Sequence, residues 1–395
     1  MLKQGLTQIL TSARYWMLVV NKLDRLECVA YINPRFSESA ENENDLVARF
    51  ARYSDDLIHL TKNSRKLLLL LGSNTKVLNQ SPNLQVQQLC TSTRNPIAFA
   101  IKARRSLHMQ SARPSILVAG DLTYGFLTSF IISRAYFRRI PIQISIHGNQ
   151  WNFESEKPNN LHQYFLRKYL HLICKRSSSI RVVSSVLKDS VAFRLKIKES
   201  KIFVSPIPIL PIPSFVDKRN MPLCIAIVGR LHDERAPIDS LRIILDAFSS
   251  MPPCPVLIIG DGPLLKTAKE LVGTTDYVNY FNFLGSRPKS EILELWPHIN
   301  LVISSAREEG YGLAIREALL SGAVILCRSN KATLEFRDIF KDGIFLFEDL
   351  RTASKELVRI SSNLGEIEIN ISASKVQGDL DEVAIRALVS SWNIT

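Results

Sequence analysis

No apolar run in this chain of 395 residues approaches the eighteen or more that a membrane-spanning helix needs, so the chain is not expected to cross a bilayer. Tyr15 to Val20 is too short for the apolar core of a signal peptide, and Asn21-Lys22 interrupts it. The six cysteines, Cys28, Cys90, Cys174, Cys224, Cys254 and Cys327, are scattered and form no C-x-x-C pair, so a zinc site is not expected. Several stand inside strand-like runs, where a reduced core cysteine fits a cytoplasmic protein. No nucleic-acid-binding motif and no basic–aromatic signature is present, so nucleic acid is not expected as a partner. Gly260-Asp261-Gly262 lacks the third glycine and the downstream acidic partner of a dinucleotide fingerprint. Asp379-Leu380-Asp381 has the outline of a metal-binding D-x-D, but its polar C-terminal setting argues against a ligand role. Neither a metal nor a cofactor is expected.

Hydrophobic residues make up 46% of the chain and aromatics 8%, the balance of a globular protein. Its length exceeds what one core normally covers, so two domains are expected. Strand-like runs stand at Glu27–Ile32, Lys66–Gly72, Asn83–Cys90, Ser115–Gly120, Ile142–His147, Ser179–Ser184 and Lys201–Val204. Helical patterns such as Asp45–Leu60 and Leu161–Cys174 lie between them, and strands near residues 224, 256, 281, 300, 323 and 343 repeat the alternation. Such alternation implies an α/β fold with parallel sheets and right-handed crossovers. Pro206 to Pro213, with proline at every second or third place, can continue neither a helix nor a central strand. The expected division is therefore a first domain over 1–205, a linker over 206–221, a second domain over 222–375, and a segment over 376–395 returning to the first.

Charge is distributed unevenly. Residues 1–220 carry a net +18 and residues 221–395 a net −5. Basic clusters occur at Lys102-Arg104-Arg105, Arg134-Arg138-Arg139 and Arg167-Lys168-Lys175-Arg176. An anionic membrane surface, or an anionic or phosphorylated lipid-linked acceptor, fits this half better than nucleic acid does. With no span to anchor it, the chain is expected to be peripheral on the inner face of the cell membrane. Leu2, Leu6 and Leu10 share one helical face and could add apolar contact.

The most informative stretch is Ser304-Ser305-Ala306-Arg307-Glu308-Glu309-Gly310-Tyr311-Gly312-Leu313-Ala314-Ile315-Arg316-Glu317-Ala318. An apolar strand-like run precedes it, two glycines bracket an aromatic, and a helical pattern then opens. A helix N-terminus at such a loop favours an anion through its free N–H groups and its dipole. Glu309 in the loop and Glu317 about one and a half turns into the helix can accept hydrogen bonds from two hydroxyl-bearing groups that flank one phosphate.

This stretch resembles the E-x7-E motif of the retaining GT-B glycosyltransferases of group 1, with Ala323 where proline is usual. Ile225 to Leu231 followed by Arg235 is similar to that family's V-G-R-L-x-x-x-K-G element, with Arg235 for lysine and Ala236-Pro237 for the glycine. Val256 to Pro263 resembles its strand and G-x-G-P turn. Phe281 to Gly285 resembles the strand and glycine before the loop that reads the base. Ile144 to Gly148 resembles the strand that delivers a histidine, His147, and Val183-Ser184-Ser185 its short V-S element. Asn33-Pro34-Arg35 departs from the usual glycine-rich loop, and the segment around Pro206 lacks the usual P-N-G-V-D.

The resemblance implies two Rossmann-like doubly wound domains facing across a cleft. It implies a metal-independent, hexosyltransferase-type glycosyltransferase using a UDP- or GDP-linked sugar in surface polysaccharide, lipopolysaccharide or glycolipid synthesis. On that reading Arg230, Arg235, Glu309 and His147 are the catalytic candidates, and Gly229, Gly285, Tyr311, Gly312, Leu313 and Glu317 bind the donor. A non-catalytic subunit of the same fold and a sugar-nucleotide epimerase are the alternatives.

Overall fold

In a computed structural model, the residues described are 28–33, 66–71, 84–88, 95–109, 114–135, 139–147, 161–209, 212–367 and 373–392. The helical pattern at Asp45–Leu60, the loop after Asn33, Gly148, Tyr15–Val20 and the Leu2-Leu6-Leu10 face lie outside them. Contacts divide the chain into two compact units, one of residues 1–206 with 383–395, the other of residues 207–382.

Among the described residues the first unit holds seven strands: β1 (Cys28–Asn33), β2 (Lys66–Leu71), β3 (Leu84–Gln88), β4 (Ile116–Ala119), β5 (Ile142–Ile146), β6 (Ser179–Val182) and β7 (Ile202–Val204). They pair in the order β3-β2-β1-β4-β5-β6-β7, every pair parallel. Helices α1 (Pro96–Met109), α2 (Tyr124–Arg134), α3 (Leu161–Arg176) and α4 (Ser185–Leu195) connect later strands. Gln143 of β5 bonds Ser179, and its side chain also meets Ser391 and Trp392 near the C-terminus. A buried amide satisfied on both ends fixes the segment at Ser391 and Trp392 to this sheet, because leaving it unpaired would cost its full desolvation.

Among its described residues the second unit holds a six-stranded parallel sheet of β8 (Ile225–Val228), β9 (Val256–Ile259), β10 (Phe281–Gly285), β11 (Leu301–Ser304), β12 (Val324–Arg328) and β13 (Ile344–Phe347), ordered β10-β9-β8-β11-β12-β13. Its strands read as nearly continuous apolar runs because both faces are covered. Ile225, Ile227, Leu301, Ile303, Val324 and Leu326 face one core, under α5 (Pro237–Ala247), α6 (Leu265–Gly273) and α10 (Leu350–Ser362). Ala226, Val302, Ile325 and Cys327 face the other, under α8 (Leu313–Leu320) and α9 (Lys331–Phe340). Two further α-helices of the described residues are α7 (Lys289–Leu295) and α11 (Ala373–Ser391), the second unit ending within α11.

Lys218 is buried in the segment that enters this unit. Its ammonium donates to the carbonyls of Trp296 and Ile299 at 2.6 and 2.7 Å and to the Ser321 hydroxyl at 2.9 Å. All three of its protons thereby have acceptors. Asp381 accepts from the Ile209 backbone N–H at 3.2 Å and from Gln377 at 2.6 Å, which gives the D-x-D segment a structural task.

Candidate functional site

In sheets of this kind ligands bind beyond the carboxyl ends of the strands, where the strand order reverses. In the second unit that point lies between β8 and β11. The loops after those two strands carry Gly229, Arg230 and Arg235 on one side and Glu309, Tyr311 and Gly312 on the other. These loops contain segments that the sequence analysis proposes for the site.

Glycines set the approach of these loops. Gly260, after β9, has φ +145°, and a Cβ there would lie 1.9 Å from the Gly229 carbonyl oxygen. Backbone bonds then stitch neighbouring strand ends together: Gly229 N–H to Ile259 O at 2.9 Å, Gly260 N–H to Gly285 O at 2.8 Å, and Leu231 N–H to Asp261 O at 2.9 Å. Gly312 caps α8 with φ +74° and ψ 45°, the left-handed region where glycine carries no Cβ penalty. Gly312 has no side chain to cap that helix, and the N–H groups of its first turn lack an intrahelical partner. Ala236 also sits in the left-handed region, φ 44° and ψ 50°, just before Pro237 opens α5. An L-residue pays about 1–2 kcal/mol there, which accounts for a glycine in the pattern that this segment resembles.

The loop after β11 is tied down along its length. Ser305 is buried and bonded to Ser240 at 2.8 Å, Ala306 O accepts from Asn330, and Arg307 N–H donates to Glu234 O at 3.0 Å. Arg235, in the short turn Asp233–Arg235, pairs with Glu309, whose side chain is only 6% exposed. Arg230 is exposed and pairs with Glu234 at 2.5 Å. Glu317 is buried on α8, not solvated, and its carboxylate meets the Lys289 ammonium at 3.2 Å. Gly285, with φ +71°, ends the strand that leads toward Lys289.

Arg316, next to Glu317, is buried to 3% exposure. Its guanidinium lies 4.0 Å over the Tyr311 ring and also faces Phe336 and Phe340, while its Nε donates to Tyr311 O at 2.9 Å. Among the described residues Nη1 has no hydrogen-bond partner. Burial lowers the Arg316 guanidinium below its ordinary pKa, and burial raises the Tyr311 phenol above its own. Gln377 of α11 reaches the Tyr311 hydroxyl at 3.4 Å. Tyr311 is thus gripped on its face, its carbonyl and its hydroxyl.

The structure brings Gly229, Arg230, Arg235, Gly285, Glu309, Tyr311, Gly312, Leu313 and Glu317 to the strand ends of one unit. His147 belongs to the other unit, exposed at the carboxyl end of β5. Sequence reasoning missed Lys289, Arg316 and Gln377. Arg316 carried a signal, a second charge beside Glu317 in a helix, Leu313–Leu320, whose other residues are apolar; Lys289 and Gln377 had none, because their partners are distant in sequence. Among the described residues no group of three or more His, Cys, Asp or Glu side chains could hold a metal ion.

Two parallel, doubly wound sheets of this kind are the Rossmann-like pair of the GT-B fold. Solved structures share it over almost the whole chain. Sucrose-phosphate synthase from Thermosynechococcus elongatus is similar with a TM-score of 0.68 at 13% identity, covering 92% of this chain and 96% of that one. Anabaena HepE in complex with UDP-glucose is similar with a TM-score of 0.66 at 15% identity, covering 92% and 98%. The family described as "Glycosyl transferases group 1" matches residues 212–360, so the second unit carries the sequence pattern of group 1 glycosyltransferases. An alpha-monoglucosyldiacylglycerol synthase of Acholeplasma laidlawii is 26% identical over 159 residues, 40% of this chain and 40% of that protein's length.

Proposed function

We propose that this chain is a retaining, metal-independent glycosyltransferase that moves a sugar from a UDP- or GDP-linked donor to an anionic or lipid-linked glycan acceptor at an anionic membrane surface. One observation carries the reading: two arginines, an uncapped helix N-terminus and two carboxylates meet at the strand-order reversal of the group 1 unit.

In this reading Arg230, Arg235 and the N–H groups at Tyr311–Leu313 hold the diphosphate. They stabilise the charge that develops as the bond between the sugar's anomeric carbon and the phosphate oxygen breaks. The electron pair leaves on the diphosphate, the acceptor oxygen forms the new bond, and its hydroxyl proton is released. Donors already aimed at developing charge are usually the largest catalytic contribution, and here cations and a helix end take the part a metal plays elsewhere. Glu309 holds the donor sugar, Glu317 the ribose hydroxyls, Gly229 and Gly285 give the donor backbone access, and His147 acts from the first unit. Two comparisons support the reading: the Anabaena protein, crystallised with UDP-glucose, supports the donor class, and the Acholeplasma protein, named as a monoglucosyldiacylglycerol synthase, supports a lipid acceptor.

The membrane site is proposed on the first unit. Ile97, Ile101, Arg104, Arg105 and His108 are exposed along one face of α1, while Phe99, Ala100, Ala103 and Leu107 are buried on the opposite face. A basic face with apolar side chains on it suits an anionic leaflet. Among the described residues no helix is long and apolar enough to cross a membrane.

The test is a product-resolved assay of UDP- and GDP-sugars in excess EDTA, with and without lipid acceptors in anionic vesicles. Transfer with retained anomeric configuration is expected. Loss of activity that magnesium or manganese restores contradicts metal independence. Release of an epimerised nucleotide sugar, or binding without turnover, replaces the transferase reading.

A further inference from the structure

The ion pair between Lys289 and Glu317 is unlike the chain's surface pairs. Lys266–Glu270 spans 3.8 Å within one helix, and both side chains are mostly exposed. Pairs of that kind contribute little. Lys289 and Glu317 are separated by 28 positions in sequence, lie 3.2 Å apart, and are only 26% and 11% exposed. Lys289 stands at the first position of α7, after the turn Ser286-Arg287-Pro288 that follows β10. Arg287, the other cation of that turn, is engaged elsewhere, by Leu284 O at 3.0 Å and Glu291 at 3.1 Å. The ammonium therefore connects the turn after β10 to the carboxylate on α8. It meets Oε1, which leaves Oε2 and its lone pairs to accept from hydroxyl donors.

We infer that Lys289 is a positioning residue that sets selectivity for ribonucleotide donors: it fixes the Glu317 carboxylate in the orientation that accepts both hydroxyls of a ribose 2′,3′-diol. The inference rests on the reading that Glu317 takes the ribose. A carboxylate bridging a vicinal diol must hold one rotamer. On a flexible side chain that rotamer is lost unless a second group fixes it, and Lys289 is that group. A donor lacking the 2′-hydroxyl leaves one lone pair of a part-buried carboxylate unsatisfied, and sites built to bond a hydroxyl reject analogues that lack it. By joining the turn after β10 to the ribose acceptor, the same contact makes ribose selection depend on the placement of that turn.

The experiment is calorimetric titration of the full chain with UDP, 2′-deoxy-UDP, GDP and 2′-deoxy-GDP, for wild type, Lys289→Met, Lys289→Arg and Glu317→Gln. Thermal unfolding of each variant checks its fold. Wild type should prefer the ribose form of its nucleotide by about tenfold or more, a difference of about 1.4 kcal/mol. Lys289→Met should reduce that preference to threefold or less, Lys289→Arg should restore most of it, and Glu317→Gln should abolish it. A lower melting temperature in Lys289→Met with the ribose preference intact overturns the inference and leaves Lys289 a structural pair. An unchanged preference in Glu317→Gln overturns the ribose reading of Glu317 itself, and the inference with it.

Discussion

The two units handle positive charge in opposite ways. In the second, which is net acidic, each candidate donor-site cation is matched to a carboxylate: Arg230 to Glu234, Arg235 to Glu309, Lys289 to Glu317. In the first, which is strongly basic, cations such as Arg104 and Arg105 share an exposed helix face with Ile97 and Ile101. Net charge therefore says little about where a small anion binds. A diphosphate needs two or three cations held in place by rigid strand ends. A leaflet needs many cations on a surface, each contributing on the order of 1 kcal/mol.

The sharpest way to break the second unit is at its backbone crossing. Gly260→Ala places a Cβ 1.9 Å from the Gly229 carbonyl oxygen at φ +145°, and should cost about 3 kcal/mol or more. Gly273→Ala, at a helix end where, beyond its neighbours and its own helix backbone, no described atom lies within 4 Å of the added carbon, is the matched control and should be neutral or slightly stabilising. Equal melting temperatures for the two variants would refute the claim that strand-end glycines position this site.

A smaller effect probes the first unit. Replacing Arg104 and Arg105 with glutamate should lower retention on anionic vesicles at low salt by about tenfold or more, with secondary structure unchanged. Equal wild-type retention on neutral and anionic vesicles would remove the electrostatic account, because exposed charges are felt only within about 10 Å at 0.1 M salt.

The smallest effect concerns pH. Burial lowers the Lys218 ammonium from 10.5 to about 7 in the folded protein. Between those values the unfolded chain binds more protons than the folded one, so this group makes stability rise with pH from about 7 toward 10. The buried thiols of Cys174 and Cys254, each pushed up to about 12, act oppositely, since the unfolded chain loses their protons first. Denaturant titrations of wild type and Lys218→Met across this range should differ by a slope of the lysine's sign. Parallel curves would show that Lys218 does not titrate there.

The alternation of strands and helices was legible because the central parallel strands are short, largely buried apolar runs, as in Val256–Ile259 and Val324–Arg328. The loop around Glu309 was legible because Gly310 and Gly312 mark a turn before a helix and the motif is local. Charge pairing was not legible. Arg235 reaches Glu309 across 74 positions, and Lys289 reaches Glu317 from the segment after β10, a strand that two others separate from β11 in the sheet. Residues such as Gln377, which holds the Tyr311 hydroxyl from α11, become visible only once the fold brings remote segments together.

The central claim is that the strand ends of the second unit hold the diphosphate of a sugar nucleotide. Its most direct measurement is calorimetric titration of wild type and Arg235→Ala with UDP, UMP, GDP and GMP. The account predicts that one nucleoside diphosphate binds wild type at least about tenfold more tightly than its monophosphate, and that Arg235→Ala loses most of this difference while staying folded. Equal affinity for diphosphate and monophosphate, or a preference that survives in Arg235→Ala, would contradict it.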